Sequence, residues 1–425
     1  MDPNLFRTHS LQDARVLRIL SAALDAVDPY VAVQKNLPNI KGRVFGLGIG
    51  KAAIPMMDAL ADQIPLSGGL AVTKFASGQS RESYSVIEGG HPIPDARSLE
   101  AGKRVLEFVS NLNEDDTLVC LISGGGSALV TAPYIPLEDL QTLTSLLLAS
   151  GARIDEINIL RRQLDRVKGG GLARATKAKI INLILSDVIG NPLEAIASGP
   201  TVPDPTTRED AIAVLKKYAL YERTPNSILD ILHAAEDGGT SLSKYAQNII
   251  IGDNKLAARA ALEHAQHEGI YAEILTNELQ GEAREIGVML SKRLRDELAK
   301  RLRPFCLIAG GESTVTLRHG SGQAIKGQGK GGRNQELALA AVAELAGVQD
   351  VLLIALATDG DDGQTDGAGA VVTGESAQRS ESLGLDAADY LSRNDSYPFF
   401  KALGDLIRSG PTGTNVNDLI FLFAM

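Results

Sequence analysis

The feature that most constrains this chain is a repeating order: a short apolar run, a glycine turn, then a helix-spaced segment. Residues 43–48 form a first strand that runs through GIGK into the helix-like AAIPMMDALADQI. Residues 69–75 form a second strand, 98–111 a helix, 117–122 (TLVCLI) a third strand ending in SGGGS, and 179–185 a fourth ending in SDVIGN. Alternation of this kind predicts a parallel sheet wrapped by helices, with ligands met at the C-terminal strand edges. The opening segment, LQDARVLRILSAALDAVDPYVAVQKNL, has helical spacing and reads as an amphipathic helix or helix pair.

Past Pro200 the chain is helical to about residue 236, and EDGGTS reads as a linker. A second series then follows: NIIIG, YAEILT, a helix over 282–301, PFCLIAG, a helix from Asn334, DVLLIALA, and finally LIFLFA. At 425 residues the chain exceeds one ordinary core. The expectation is an α/β protein with an N-terminal Rossmann-like domain over 1–240 and a smaller α/β C-terminal domain over 241–425, the final segment free to pack back on the first. The boundary is placed within 236–248.

A net charge of −10 and a pI near 5.2 argue against nucleic-acid binding, which needs a basic field. Apolar runs stay below the ~18 residues of a membrane span, and the N-terminus has no signal-peptide pattern, so the expected location is cytoplasmic. Cys120 and Cys306 fall inside apolar runs and read as small buried hydrophobes.

Several loops carry chemistry. Residues 310–336, GGESTVTLRHGSGQAIKGQGKGGRNQE, gather glycines, cations and small hydroxyls with almost no large apolar residue. Core packing does not account for such a run, and its anchoring between a strand and a helix favours a functional loop over a flexible spacer. Lys326, Lys330 and Arg333 are its site candidates. Lys51, at a strand-to-helix turn, opposes the helix dipole unless an anion is present; the alternative is a solvated surface lysine. Ser123, Gly124, Gly125, Gly126 and Ser127 supply successive backbone donors suited to phosphate, where a plain tight turn needs fewer glycines. The stretch from Gly48 to Ala53 satisfies a dinucleotide fingerprint, but a lysine, Lys74, stands where the NAD version expects an acid. Neither Gly-Lys pair continues as a P-loop.

Acidic candidates are Asp187 in SDVIGN and Asp359, Asp361 and Asp362 in TDGDDG, with Asp366 beyond. Carboxylates at strand ends can hold Mg²⁺ together with phosphates and waters, or accept a proton from a substrate hydroxyl; TDGDDG also suits a plain Asx-type turn. His91 reads as structural, and Arg161, Arg162 and Lys168 either line a cleft or solvate a helix end. Basic glycine loops plus strand-end aspartates suit phosphoryl transfer.

GIGKAA, GGHPIPD, LISGGGSAL, LSDVIG, IASGPT, GGESTVTL, GKGGRNQELAL, ATDGDDGQTDGAGAVV and GPTGTNVNDL together span nearly the whole chain. In these motifs and their order the chain resembles the class II glycerate kinases, the glycerate 2-kinase family with a C-terminal MOFRL domain. The resemblance implies ATP- and Mg²⁺-dependent phosphorylation of D-glycerate at its 2-hydroxyl, and an active site in a cleft between the two domains. It also puts Lys51 and Arg333 near the substrate, and it leaves a homodimer open. Asn191 stands where an aspartate often follows the glycine, which leaves Asp187 as the acid of that loop. The expected roles are substrate or phosphoryl binding by Lys51 and Arg333, the latter by bidentate carboxylate recognition. Ser123 to Ser127, Lys326 and Lys330 would bind ATP phosphates. Asp187, Asp359 and Asp362 would hold metal, with Asp187 or one of the others orienting the hydroxyl. An NADPH-dependent hydroxypyruvate reductase is the main alternative, and a non-catalytic nucleotide sensor a second.

Overall fold

A computed structural model of the chain describes residues 1–75, 81–234, 246–316 and 329–425. The chain divides into two compact units, one formed by residues 29–251 and the other by 1–28 together with 252–425.

The 29–251 unit is built on β1 (Val44–Ile49), β2 (Leu66–Thr73), β3 (Ser85–Glu88), β4 (Thr117–Ile122), β5 (Lys179–Leu185) and β6 (Ala246–Gly252), in the order β3-β2-β1-β4-β5-β6. The pairs β2–β3, β1–β2, β1–β4 and β4–β5 are parallel. All six residues of β4 are buried, as a strand covered on both faces by helices requires. Strand order reverses between β1 and β4, and a doubly wound sheet opens its ligand crevice at that point. The sheet core includes Leu47, Ile49, Leu118, Cys120 and Ile184. Leu143, Leu160, Leu215 and Ile228 belong to a separate, helical core.

The other unit contains β7 (Tyr271–Glu282), β8 (Phe305–Thr314), β9 (Val351–Ala357), β10 (Gly369–Thr373), β11 (Leu406–Ile407) and β12 (Asp418–Ala424), in the order β11-β10-β9-β12-β8-β7. Among its described strand pairs only β7–β8 is parallel; β12 runs antiparallel to both β8 and β9. The closing LIFLFA segment is therefore a central strand of its own unit.

The division differs from the sequence-based one at 240/241, because the first 28 residues pack with the C-terminal unit. The helix Ala14–Asp25 is capped by the Asp13 carboxylate, which accepts from the Arg15 N–H. It buries Val16, Leu17, Ile19, Leu20 and Leu24 on one face and packs against the helix Asn254–His267, whose buried face is Ala257, Ala258, Ala261 and Ala265. Small side chains let the two backbones approach, and an Arg18–Glu268 ion pair at 2.6 Å flanks the contact. The expected opening helix pair thus falls in two different units: Pro29–Asn36 packs against Ala53–Gln63 instead. Both cysteines are buried free thiols. Among the described residues no helix is long and apolar enough to cross a membrane.

Candidate functional site

In the 29–251 unit the ends of β1, β4 and β5 converge at the order reversal. The turn after β1 is stitched to the turn after β4: the Lys51 N–H donates to the Gly124 carbonyl (2.9 Å), Ser123 N–H to Ile49 O (2.9 Å), and Ala52 N–H to Ser123 Oγ (3.0 Å). Gly50 makes this possible, with φ +130° and a Cβ position only 2.2 Å from Ser123 Oγ. Gly48 is equally constrained, since a Cβ there would lie 2.8 Å from Met57 Cγ. Two glycines of the dinucleotide-like fingerprint are therefore required by the protein's own packing, with or without a nucleotide.

Gly125 takes φ +86° and turns the chain into the short helix Gly126–Leu129. The backbone N–H groups of Gly124, Gly125, Gly126 and Ser127 find no acceptor among the described residues. Unpaired N–H groups of this kind are rare away from water or a ligand. Around them stand the expected residues. Asp187 Oδ2 lies 2.0 Å from where a Cβ on Gly124 would be, and Lys51 Cγ lies 3.4 Å from the corresponding point on Gly125. The structure thus brings together Lys51, Asp187 and the Ser123 to Ser127 turn.

His91 joins this group. Its Nε2 is 3.2 Å from the Cβ position of Gly125, and burial, then the charges of Lys51 and Lys74, push its imidazole down to about 4. It is neutral at physiological pH and able to accept a hydrogen bond. The sequence presents His91 as a structural residue; its position just beyond the short strand β3 is what carries it to this edge. The IASGPT segment contributes at the same edge through its backbone and its serine. It holds Ala197 and Ser198 at φ 50° and 61°, a backbone cost of order 1–3 kcal/mol each. The buried Ser198 hydroxyl meets that of Ser127 at 2.8 Å.

Arg162 and Lys168 are interior ion-pair partners, with Asp204 at 2.7 Å and Asp165 at 2.6 Å. The suggestion that they solvate a helix end is corrected: both are buried.

In the other unit Arg333 opens the helix Arg333–Leu345. Its Nε and Nη2 donate to Asp418 (2.5 and 3.0 Å), and Nη1 donates to Glu312 (2.9 Å). The register Asp418↔Gly311 places the two acids side by side on β12 and β8. Burial works against the Arg333 charge, but Asp418 and Glu312 outweigh it and hold the guanidinium above its usual pKa. The bidentate face expected for a substrate carboxylate is thus closed on Asp418.

Asp362, expected as a metal ligand, is 2 % exposed and caps that same helix. Its Oδ1 accepts from the Asn334 N–H and Nδ2 (3.1 and 3.2 Å), and its Oδ2 from the Gln335 N–H (2.8 Å). It supplies the cap that Gly332 cannot. Burial pushes its pKa up to about 6. Asp359 is half-buried and accepts from the Asp361 N–H (3.1 Å), while Asp366 receives the Tyr397 hydroxyl (2.6 Å). Lys330 is exposed, with Nζ 4.1 Å above the Tyr397 ring; Lys326 lies outside the described residues. The glycines beside Lys330 have a packing role that composition concealed. A Cβ on Gly329, Gly331 or Gly332 would fall 2.1–2.3 Å from atoms of Asn394, Ser396 or Asp362.

As a place for Mg²⁺, Asp187 and Asp359 fit: each is a half-buried carboxylate at a strand end, and Mg²⁺ needs only one or two carboxylates when phosphates and waters complete its shell. Asp362 does not fit, because both its oxygens serve the helix cap. Among the described residues no group of three or more His, Cys, Asp or Glu side chains could hold a metal by itself.

Two family models match the chain, a domain of unknown function (DUF4147) over residues 15–233 and the MOFRL family over 305–418. The chain is 40% identical to the D-glycerate 2-kinase of Thermotoga maritima, over 98% of this chain and 99% of that one. It is likewise 40% identical to the glycerate 2-kinase of Pyrococcus horikoshii, over 95% of each. A relative from Agrobacterium vitis, 40% identical over 95% of this chain and 92% of its own, is named provisionally as a hydroxypyruvate reductase. The crystal structure of a glycerate kinase from Thermotoga maritima superposes with a TM-score of 0.88 at 41% identity, covering 96% of this chain and 98% of that one. With both domain models matched and such relatives along nearly its whole length, the chain belongs to the glycerate 2-kinase family.

Proposed function

We propose that this protein is a glycerate 2-kinase that transfers the γ-phosphoryl group of ATP to the 2-hydroxyl of D-glycerate. The observation that carries the phosphotransfer reading is the turn from Gly124 to Ser127, whose backbone N–H groups find no acceptor among the described residues and which lies beside Lys51 and Asp187. Oriented amides and an ammonium group are what phosphate oxygens require. The choice of glycerate follows the names of the relatives.

Within this reading Lys51 and the turn amides hold phosphate oxygens. Asp187 accepts the proton of the attacking hydroxyl, or orients it, and its position at the end of β5 suits that task. Arg333 answers the charge of the transferring phosphoryl group through the N–H groups that Asp418 and Glu312 leave available. Lys330 contributes to nucleotide binding. Mg²⁺ held by Asp187 or Asp359 together with nucleotide phosphates would neutralise their charge. Asp362 acts indirectly, by fixing the start of the helix that bears Arg333.

The reductase alternative loses support from the same geometry. Gly48 and Gly50 are explained by packing, and Lys74 closes β2 where an acid would hold the ribose. Measuring ADP release with D-glycerate beside NADPH oxidation with hydroxypyruvate separates the two. The kinase reading expects the first and fails if only the second occurs.

A further inference from the structure

Arg161 lies in the last turn of the helix Ile154–Gln163, half-buried, in a part of the 29–251 unit where two buried cations, Arg162 and Lys168, each have an acid of their own. Arg162 has Asp204 and Lys168 has Asp165. Arg161 has none among the described residues; its hydrogen bond is a long one to Asn158 Oδ1 at 3.4 Å. A guanidinium drawn from water without a counter-ion is costly, and burial indeed pulls its pKa below the usual value.

The recess it faces is lined by Ser127, Thr131, Thr144, Asp165 and Lys168. Asp165 is fully engaged: it receives Lys168 Nζ, the Thr131 hydroxyl, and the N–H groups of Ala132 and Val167. With one acid against two cations the recess keeps a positive charge, and its neutral lining sets the hydroxyls of Ser127, Thr131 and Thr144 beside the apolar Pro94, Leu140 and Leu164. Its volume, about 10 Å³, admits a single oxygen-sized atom. The wall residue Ser127 is the last of the turn whose earlier glycines face Lys51 and Asp187.

We propose that Arg161 is a specificity residue that takes a carboxylate oxygen of the hydroxy-acid acceptor at this recess. The inference rests on the kinase reading above. It assigns acceptor recognition to a residue other than Arg333, whose fork is already occupied. A carboxylate is favoured over phosphate because the free amides of the adjoining turn already answer phosphate.

The test is calorimetric titration of the full-length protein with D-glycerate alone and with ATP alone, for wild type, Arg161→Met and Arg161→Lys. Arg161→Met is expected to weaken D-glycerate binding by at least about 30-fold, the loss of a charged hydrogen bond, and to leave ATP binding within about twofold. Arg161→Lys is expected to fall between, since it keeps the charge but loses the fork. It also serves as the readout if the methionine variant fails to fold. Unchanged glycerate binding in the variants would mean that the recess holds only a water, and would overturn the inference. Loss of ATP affinity instead would reassign Arg161 to phosphate, and a wild type that binds no glycerate would also refute the assignment. Turnover of the wild type is measured separately: an enzyme that binds glycerate through Arg161 but never phosphorylates it would overturn the kinase reading alone.

Discussion

The carboxylate of Asp187, beyond the end of β5, rests against the α-carbon of Gly124, beyond the end of β4, so closely that a β-carbon there would lie 2.0 Å from Oδ2. The position of the acid is thus set by the absence of a side chain on the neighbouring turn. Gly124 does not hold positive φ, so Gly124→Ala imposes little backbone strain and acts by displacing Asp187. A misplacement of about 1 Å in a catalytic group can cost about 100-fold. Gly124→Ala is therefore expected to lower kcat by about that factor, with a small change in Tm. Activity within twofold of wild type would show that Asp187 has no part in the reaction.

Lys51 is exposed, and its backbone is held by the Gly124 carbonyl independently of its side chain. Lys51→Ala should leave the turn intact while removing a charge from the phosphate-binding group. Loss of one such stabilising donor costs roughly 10²–10³ in kcat. Steady-state kinetics with D-glycerate and ATP, beside a thermal melt, would check this. A large drop in Tm instead would mark Lys51 as structural.

Arg333 and Asp418 form a pair in which the acid is 1 % exposed. Arg333→Met strands that carboxylate, and urea unfolding is expected to show a loss of about 3–5 kcal/mol. Adding Asp418→Asn removes the stranded charge and should restore much of the stability. If Arg333 also serves the phosphoryl group, the stabilised double variant stays inactive. Recovery of activity along with stability would confine Arg333 to a structural role.

Asp362 gives a pH signature. Its pKa rises from 3.8 for the free side chain to about 6 in the fold, so the folded protein binds the proton more tightly. The stability linked to this group is whole below about pH 4 and lost as pH rises through about 6. Asp362→Asn keeps one cap acceptor and cannot ionise. Between pH 4 and 7 the unfolding free energy of wild type should fall relative to this variant by up to roughly 3 kcal/mol. Parallel pH curves for the two proteins would contradict it.

Much of this was legible in the sequence because a parallel sheet turns local patterns into neighbours. GIGK, SGGGS and SDVIG each follow an apolar strand, so a correct strand order brings Lys51, Gly124 and Asp187 to one edge. What was not legible depended on contacts distant in sequence. The helix Ala14–Asp25 shows its amphipathic face, but not that its partner is the alanine face of Asn254–His267. The glycines around Lys330 looked like a ligand cradle, whereas Gly329, Gly331 and Gly332 make room for Asn394, Ser396 and Asp362. An aspartate in TDGDDG reads as a metal ligand or as part of an Asx-type turn, and only the contacts with Asn334 and Gln335 mark Asp362 as a helix cap. Arg333 read as a ligand fork because its partner Asp418 lies 85 residues away in the chain.

The most direct measurement is phosphorus NMR of the product formed from ATP, Mg²⁺ and D-glycerate by the purified protein. The expected result is glycerate-dependent appearance of 2-phosphoglycerate together with ADP. Formation of 3-phosphoglycerate would contradict the assigned hydroxyl. The absence of any phosphorylated glycerate, with NADPH consumed on hydroxypyruvate, would contradict the kinase reading itself.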